Sequence, residues 1–267
     1  MKYSYAQFSK WKSMPLDLKV AWSEQVILRA LKEGKNPSVS CSWGKDSVVM
    51  LHLVRKFCKN TIVMYANTLC EYPETYAYRD KMLKTEFEGC NYVETKPMKT
   101  FWECVEQYGY PHNRQSAEQD KEGEKSKRTP ACCNWLKEKP LIKKQKELGV
   151  DLVFLGLQAT ESMNRRLVFL RLGELYKKKS GLWHCMPLAI WTNKDVFEYA
   201  KRNRIEMNEI YKKMDRNGCM FCTGFKNWRP VMASYNKKLY AKIMRDKEGQ
   251  QVIYDCDESV GGVKKND

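Results

Sequence analysis

Two hydrophobic periods run through the chain. Residues 17–35 (DLKVAWSEQVILRALKEGK) bring Val20, Trp22, Val26, Ile27 and Leu31 close to one helical face, which predicts an amphipathic helix. Residues 37–42 (PSVSCS) form a short buried-strand pattern, followed by the turn Trp43-Gly44-Lys45-Asp46 and a helical pattern over 47–58. A β-branched strand is predicted at 61–66 (TIVMYA); the loop 67–73 then enters a helix with Glu74 and Thr75 near its start. Residues 91–95 (NYVET) read as a further strand, and 151–158 (DLVFLGLQ) as the most apolar strand of all. Helical spacing returns over 132–148, where Pro140 should kink or divide the helix. Residues 186–190 lead into a last helix at 195–203, with Thr192 as its N-cap. Strands alternating with helices predict an α/β fold: a parallel twisted sheet with helices on both faces.

The pattern divides the chain into three. Residues 1–35 are an N-terminal helical segment, 36–205 the α/β domain, and 206–267 a smaller, helical, cysteine-containing portion with a basic helix and a polar tail. Within the second part, residues 108–130 (YGYPHNRQSAEQDKEGEKSKRTP) have almost nothing to bury and read as a mobile loop or lid.

Composition narrows the class. A 43% hydrophobic and 12% aromatic content excludes a disordered chain. No apolar run approaches the roughly 20 residues of a membrane span, and the first residues lack a signal-peptide core, so a cytoplasmic protein without a membrane partner is expected. In that compartment the 11 cysteines point to metal or redox chemistry rather than to a disulfide framework. The 48 Lys and Arg against 32 Asp and Glu give a net charge of +16, which suits a polyanionic partner, a nucleotide or a nucleic acid.

The turn after the first strand is the clearest chemical feature. A strand that runs through Ser42-Trp43-Gly44-Lys45-Asp46-Ser47 straight into a helix presents backbone N–H groups and a positive dipole end to an anion. Gly44 allows close approach, Lys45 supplies positive charge, and the Ser42 and Ser47 hydroxyls can donate hydrogen bonds. Asp46 would repel phosphate and is expected to orient a metal-bound or loop-bound partner. The glycine spacing excludes a Walker loop.

These residues resemble the pyrophosphatase loop (PP-loop) of adenine-nucleotide α-hydrolases, Ser-Gly-Gly-x-Asp-Ser, with Trp43 replacing the first glycine. Further segments resemble the phosphoadenosine-phosphosulfate (PAPS) reductase family. Residues 67–75 (NTLCEYPET) are similar to its Asn-Thr-Gly-x-x-Phe-Pro-Glu-Thr, and 156–166 (GLQATESMNRR) to its Gly-x-Arg-x-x-Gln-Ser-x-x-Arg, with Gln158 in place of arginine. Residues 187–196 are similar to its Pro-Leu-x-x-Trp-Thr-x-x-Asp-Val. The resemblance implies an adenine nucleotide at the strand C-termini, held by Ser42, Gly44, Lys45, Ser47, Asn67, Glu74, Gly156, Ser162 and Arg165.

Cys132-Cys133 and Cys219-Met220-Phe221-Cys222 are candidate metal ligands. Adjacent cysteines chelate one tetrahedral zinc only with strain, whereas the corners of a [4Fe-4S] cluster are spaced widely enough to accept them. The pattern also resembles that of assimilatory adenylyl-sulfate reductases. A zinc site and buried free thiols are the alternatives; Cys41, Cys58, Cys70, Cys90, Cys104 and Cys185 read as packing residues.

The family's nucleophilic thiol lies in a C-terminal Glu-Cys-Gly-x-His; here Cys256 stands in Asp-Cys-Asp-Glu with no histidine after it. Three functions follow from these features. One is a sulfonucleotide reductase-like iron–sulfur enzyme, with Cys256, Lys45 and Asp46 as catalytic candidates and an electron donor protein as partner. The second is an ATP pyrophosphatase that uses Mg²⁺ and activates a nucleic-acid or small-molecule oxygen for sulfur transfer, with a sulfur donor protein. The third is a DNA-associated regulator that binds nucleotide without turnover.

Overall fold

The computed structural model describes residues 1–111, 131–225 and 227–247. Most of the 108–130 loop, with His112, and the whole region around Cys256 lie outside these residues. Two helices, α1 (Tyr5–Lys12) and α2 (Leu16–Glu33), lead into β1 (Pro37–Ser40), α3 (Lys45–Arg55), β2 (Ile62–Ala66), α4 (Pro73–Lys84) and β3 (Asn91–Thr95). Next come α5 (Phe101–Tyr108), α6 (Ala131–Cys133), a π-helical turn (Asn134–Glu138) and α7 (Lys139–Glu147). The order continues with β4 (Leu152–Leu155), α8 (Met163–Leu172), β5 (Leu175–Lys177), β6 (Trp183–Cys185) and α9 (Asn193–Arg202). A 3-10 turn (Glu209–Lys212), α10 (Trp228–Tyr235) and α11, over residues 237–247, complete the described chain.

Local chemistry sets most of these boundaries. Thr192 caps α9 in a reciprocal capping box with Asp195, and Thr100 and Glu103 do the same for α5. Pro73 opens α4, where its missing N–H has no helical acceptor to lose. Pro140 does divide its helix: the wider π turn ends just before it, and the proline sits in the first turn of α7. The helix α3 starts two residues earlier than its apolar pattern, because Gly44 acts as N-cap and Lys45 and Asp46 are already helical.

The strands form one six-stranded sheet in the order β3-β2-β1-β4-β6-β5. Every pairing is parallel except that of β5, which runs antiparallel to β6 at the edge. β1 is central, with Val39 opposite Val63 on one side and Phe154 on the other. The helices cover both faces of the sheet, as the alternation predicts. Val26, Ile27, Val39, Val48, Leu51 and Phe154 belong to the main core and are fully buried. A second core unites Phe101, Cys104, Leu136, Met232 and Ile243, with Cys132 and Cys219 packed against it.

The α2 helix docks through polar residues that its apolar pattern leaves out. Ser23 accepts a hydrogen bond from Trp191 Nε1 (2.9 Å) and donates one to the Pro187 carbonyl (2.7 Å). One turn earlier Lys19, 2% exposed, places Nζ 2.6 Å from Asp195 Oδ2. That carboxylate oxygen also accepts from the Thr192 hydroxyl and backbone N–H, both at 2.7 Å. Burial works against the Asp195 charge, but the Lys19 and Thr192 hydrogen bonds outweigh it and hold its pKa below the usual carboxylate range.

Trp43 is the unusual residue of the β1–α3 turn. Its φ of 58° is left-handed, the conformation that the glycine of the resembling loop tolerates freely, and its side chain is fully buried. The indole lies 6.3 Å from the Phe87 ring and 6.0 Å from the Tyr92 ring, centroid to centroid. Aromatic burial therefore holds a backbone angle that costs about 1–2 kcal/mol for a side-chain-bearing residue.

Two stability predictions follow from these contacts. Trp43→Gly relieves the strained angle but empties a large buried site, a loss of roughly 3–5 kcal/mol for such truncations; a net destabilisation of about 1–4 kcal/mol is expected in urea denaturation, and a stabilised variant would refute the assignment. Asp195→Asn leaves Lys19 buried without its counter-charge and is expected to cost about 3–5 kcal/mol at pH 7. Because the folded pKa of Asp195 is depressed, its contribution exists above the unfolded value of about 3.9 and fades as the pH falls through that range. The gap between wild type and Asp195→Asn should therefore narrow in denaturation curves taken below pH ~4; a gap that does not change with pH would exclude a charge effect.

Candidate functional site

The sheet has a topological switch point between β1 and β4. From β1 the chain moves outward to β2 and β3, then crosses back to β4 on the other side of β1. In such sheets the crevice outside the C-terminal ends of these two strands is the usual ligand position. Residues 41–46 form one wall and residues 156–162 the other.

The two walls touch at Gly156. A Cβ there would lie 3.0 Å from Ser47 N and 3.1 Å from the Asp46 carbonyl carbon, so any side chain would press on the backbone of the first turn of α3. Ser47 shapes the loop from within: its hydroxyl donates to the Gly44 carbonyl (2.9 Å) and accepts from the Ser42 backbone N–H (3.1 Å). Ser42 Oγ lies 3.3 Å from Ser47 Oγ.

Residues from the C-terminal part brace the loop from outside. Tyr211 OH accepts the Lys45 backbone N–H (2.9 Å), and Asn217 Nδ2 donates to the Ser42 carbonyl (3.1 Å). Buried Asn208 approaches the Trp43 carbonyl (3.4 Å) and donates to Thr75 Oγ1 (3.1 Å), which donates in turn to Asn217 Oδ1 (2.8 Å). Burial pushes the Tyr211 phenol well above its ordinary pKa, so it stays protonated. The three bracing residues carry no motif of their own in the sequence. The nearest signal is the Asn217-Gly218 pair just before the first CxxC cysteine.

The charged groups at the crevice pair with one another. Lys45 Nζ lies 2.6 Å from Asp46 Oδ2 and 3.8 Å from Glu161 Oε1, and Glu161 also pairs with Arg165 on α8. Gln158, fully buried, donates through Nε2 to the other Asp46 oxygen and accepts from the Thr160 hydroxyl (3.2 Å). Asp46 is thus held by two neighbours of the loop. Ser162 serves as the N-cap of α8, its hydroxyl accepting from the Arg165 backbone N–H.

Asn67 and Glu74 stand apart from this group in their bonding. Asn67 donates to Glu94 (2.7 Å) and accepts from the Leu69 N–H and Tyr76 OH, which fixes the loop after β2. Glu74 accepts from Lys213 (2.6 Å) and Tyr235 (2.9 Å). Burial opposes its charge, but these bonds prevail and lower its pKa. His52 faces Tyr199 OH at 2.9 Å, and burial pulls its pKa down to about 4, as befits a neutral packing histidine.

Cys132, Cys133, Cys219 and Cys222 line one recess together with Phe101, Leu136 and Lys137. Both cysteine pairs come from elements that the second core holds together, so the helix before Pro140 and the CxxC turn face each other. A β-bridge joins Cys219 to Glu71, and the Met220 N–H donates to the Cys70 carbonyl (2.8 Å), which ties the CxxC turn to the loop after β2. The Cys219 thiol approaches Thr68 Oγ1 at 3.5 Å. Among the described residues no set of three or more His, Cys, Asp or Glu is arranged to hold a single metal ion.

The thiols differ in acidity. A hydrogen bond from Cys132 and the Lys137 cation overcome burial and lower the Cys133 pKa to about 7, while Cys132 is pushed up by the same bond and by burial. Burial raises Cys219 to about 11, with Lys137 acting against it. Lys137 Nζ lies 3.4 Å from Glu71 Oε1; burial works against its charge, but Cys219, Glu71 and Cys133 hold it protonated. Lys137 belongs to a basic run that looks like a solvated helix face, yet its place four residues after Cys133 turns it into the recess. Four thiols, apolar walls and one cation thus meet in this recess.

The comparisons with known proteins agree with this architecture. Residues 36–225 match the model of the phosphoadenosine phosphosulfate reductase domain. A phosphoadenosine 5'-phosphosulfate reductase of Xylella fastidiosa is 25% identical over 203 residues, 76% of this chain and 78% of that protein. The adenosine 5'-phosphosulfate reductase 1 of Bacillus subtilis is 27% identical over 186 residues, 69% of this chain and 72% of that one. Among solved structures, phosphoadenylyl-sulfate reductase from Candida auris in its phosphate complex superposes with a TM-score of 0.54 at 18% identity, covering 82% of this chain and 97% of that one. The FMN adenylyltransferase of Candida glabrata in complex with ATP has a TM-score of 0.52 at 10% identity, over 80% of this chain and 68% of that one, and so shares the fold. With its switch-point crevice inside a domain matched over most of its length, this chain belongs to the phosphoadenosine phosphosulfate reductase family.

Proposed function

We propose that this chain is an iron–sulfur enzyme of sulfur metabolism that binds an adenine sulfonucleotide in the β1–β4 crevice. The observation that carries the reading is the junction of two chemical centres through Asn217 and Gly218. Asn217 donates to the phosphate-loop carbonyl of Ser42 and accepts from the Gly218 N–H (2.8 Å), next to Cys219 in the cysteine recess. In this reading the nucleotide phosphates lie against the start of α3, where backbone N–H groups and the helix dipole favour an anion. Lys45 supplies positive charge beside them, and Ser162 and Arg165 border the sulfate end.

The donor chemistry of the recess fits a [4Fe-4S] cluster. Cys132, Cys133, Cys219 and Cys222 would be its thiolate ligands, Phe101 and Leu136 would limit water, and Lys137 would offset its negative charge. When bound, such a cluster supplies polarisation or electron transfer next to the nucleotide. For reduction, a thiolate attacks the sulfonucleotide sulfur, the S–O bond to the nucleoside phosphate breaks, and an external dithiol donor then releases sulfite while becoming a disulfide. Cys256 is the candidate thiol. Its acidic neighbours in the sequence, Asp255, Asp257 and Glu258, disfavour the thiolate.

A second reading, ATP cleavage between the α- and β-phosphates with Mg²⁺, is favoured by one observation. Asp46 keeps a loop-bound carboxylate at the crevice, and neutral Gln158 stands against it where the resembling motif has an arginine.

The two readings separate in one set of assays on anaerobically purified protein. Sulfite release from adenylyl sulfate or PAPS with a thioredoxin-type dithiol, abolished by Cys256→Ser, is the expected result. AMP and pyrophosphate from MgATP, with or without RNA, would replace it by the second reading. Iron and acid-labile sulfide in near-fourfold amounts per chain are expected, with at least a several-fold loss of both in Cys132→Ser or Cys222→Ser. Stoichiometric zinc without iron would refute the cluster.

A further inference from the structure

We propose that Glu161 is a specificity-determining residue that makes the crevice select a terminal sulfate over a terminal phosphate; this rests on the nucleotide-binding reading above. The evidence is the pairing of charges at the crevice. Two cations, Lys45 and Arg165, and two carboxylates, Asp46 and Glu161, form one linked set with no net charge. Glu161 is the bridge: one of its oxygens lies 3.8 Å from Lys45 Nζ, and the other pairs with Arg165. The Lys45 side chain is only 6% exposed, so its charge is shielded from water and is felt strongly by any group placed beside it.

Adenylyl sulfate and ADP differ only in the terminal group, and the two groups have nearly the same size. They differ in charge. A sulfate ester carries a single negative charge, whereas a terminal phosphate carries about −1.5 to −2 at neutral pH. A crevice with unopposed Lys45 and Arg165 would favour the more highly charged phosphate. With Glu161 bridging the two cations, the added second charge meets a carboxylate instead. For a monoanion there remain the helix dipole and the first-turn N–H groups of α3 other than that of Lys45, which Tyr211 OH accepts. Gln158 sharpens the effect, because its amide faces Asp46 without adding a third cation. Specificity here arises by repulsion of the wrong ligand as much as by attraction of the right one.

The test is the dissociation constant of adenylyl sulfate, ADP and AMP, measured by calorimetry in EDTA for wild type, Glu161→Gln and Glu161→Asp. Wild type is expected to bind adenylyl sulfate about tenfold or more tightly than ADP, a difference of about 1.4 kcal/mol. Glu161→Gln should lower this ratio at least severalfold, chiefly by tightening ADP, with AMP, which lacks the second group, changing less. Glu161→Asp keeps the charge and should keep ADP disfavoured. Arg165→Gln added to Glu161→Gln should reverse the gain for ADP, which a purely structural role for Glu161 would not produce. The proposal is overturned if wild type binds ADP as tightly as adenylyl sulfate, or if the ratio is the same in Glu161→Gln. A folded wild type, checked by circular dichroism, that binds none of the three nucleotides would instead overturn the nucleotide-binding reading, and this proposal with it.

Discussion

Everything at the crevice depends on one backbone contact, the approach of Gly156 to the first turn of α3. Parallel strands β1 and β4 deliver their loops to the same edge of the sheet, but adjacency of strands does not by itself bring two loops together. The missing side chain does so. Because nothing separates residue 156 from Ser47, the segment that follows can carry Gln158 onto Asp46 and Glu161 onto Lys45. Any side chain at this position meets backbone rather than a flexible group, and that backbone would have to give by a few tenths of an ångström.

A second layer holds this contact in place. The phosphate loop is braced by Tyr211, Asn208 and Asn217, residues far along the chain, and the same stretch runs directly into the CxxC turn. The β-bridge between Glu71 and Cys219 joins that turn to the loop after β2. Loop and recess are therefore mechanically one unit. A displacement of the Cys219 turn pulls on the carbonyl of Ser42 through two hydrogen bonds, and a displacement of the phosphate loop pulls the other way.

The parts of this arrangement that depend on local pattern were legible in the sequence. Alternation of β-branched runs and helical spacing is enough for β1 to β4 and α2 to α4, and the Thr192–Asp195 spacing announces the start of α9. Less visible were elements whose signal is weak or whose meaning is set by distant residues. The strands β5 and β6 are three residues each, too short for a period to develop, and β5 at the edge tolerates Lys177. Lys19 and Ser23 look like solvent-facing positions of α2; they are buried because Asp195, Pro187 and Trp191 lie opposite. That the Ser47 hydroxyl also shapes its own loop, through the Gly44 carbonyl, is set by the folded turn. The charge set around Lys45 was hidden for the same reason: that Glu161 bridges two cations is a fact of the folded crevice and not of residues 156–166 read in line.

The central position of β1 also governs the order in which this protein can be assembled. One edge of β1 is matched early, by β2, which lies close in the chain; the other remains open until β4 has been made, since Val39 finds its second partner only in Phe154. Long-range parallel pairing of this kind is slow, because loop closure precedes the contacts that reward it. The crevice thus cannot form on a growing chain before β4 and the loop after it have been made. Until Leu152–Leu155 docks, a buried strand waits with an unpaired edge, and that interval is when the chain is most exposed to pairing with the wrong partner.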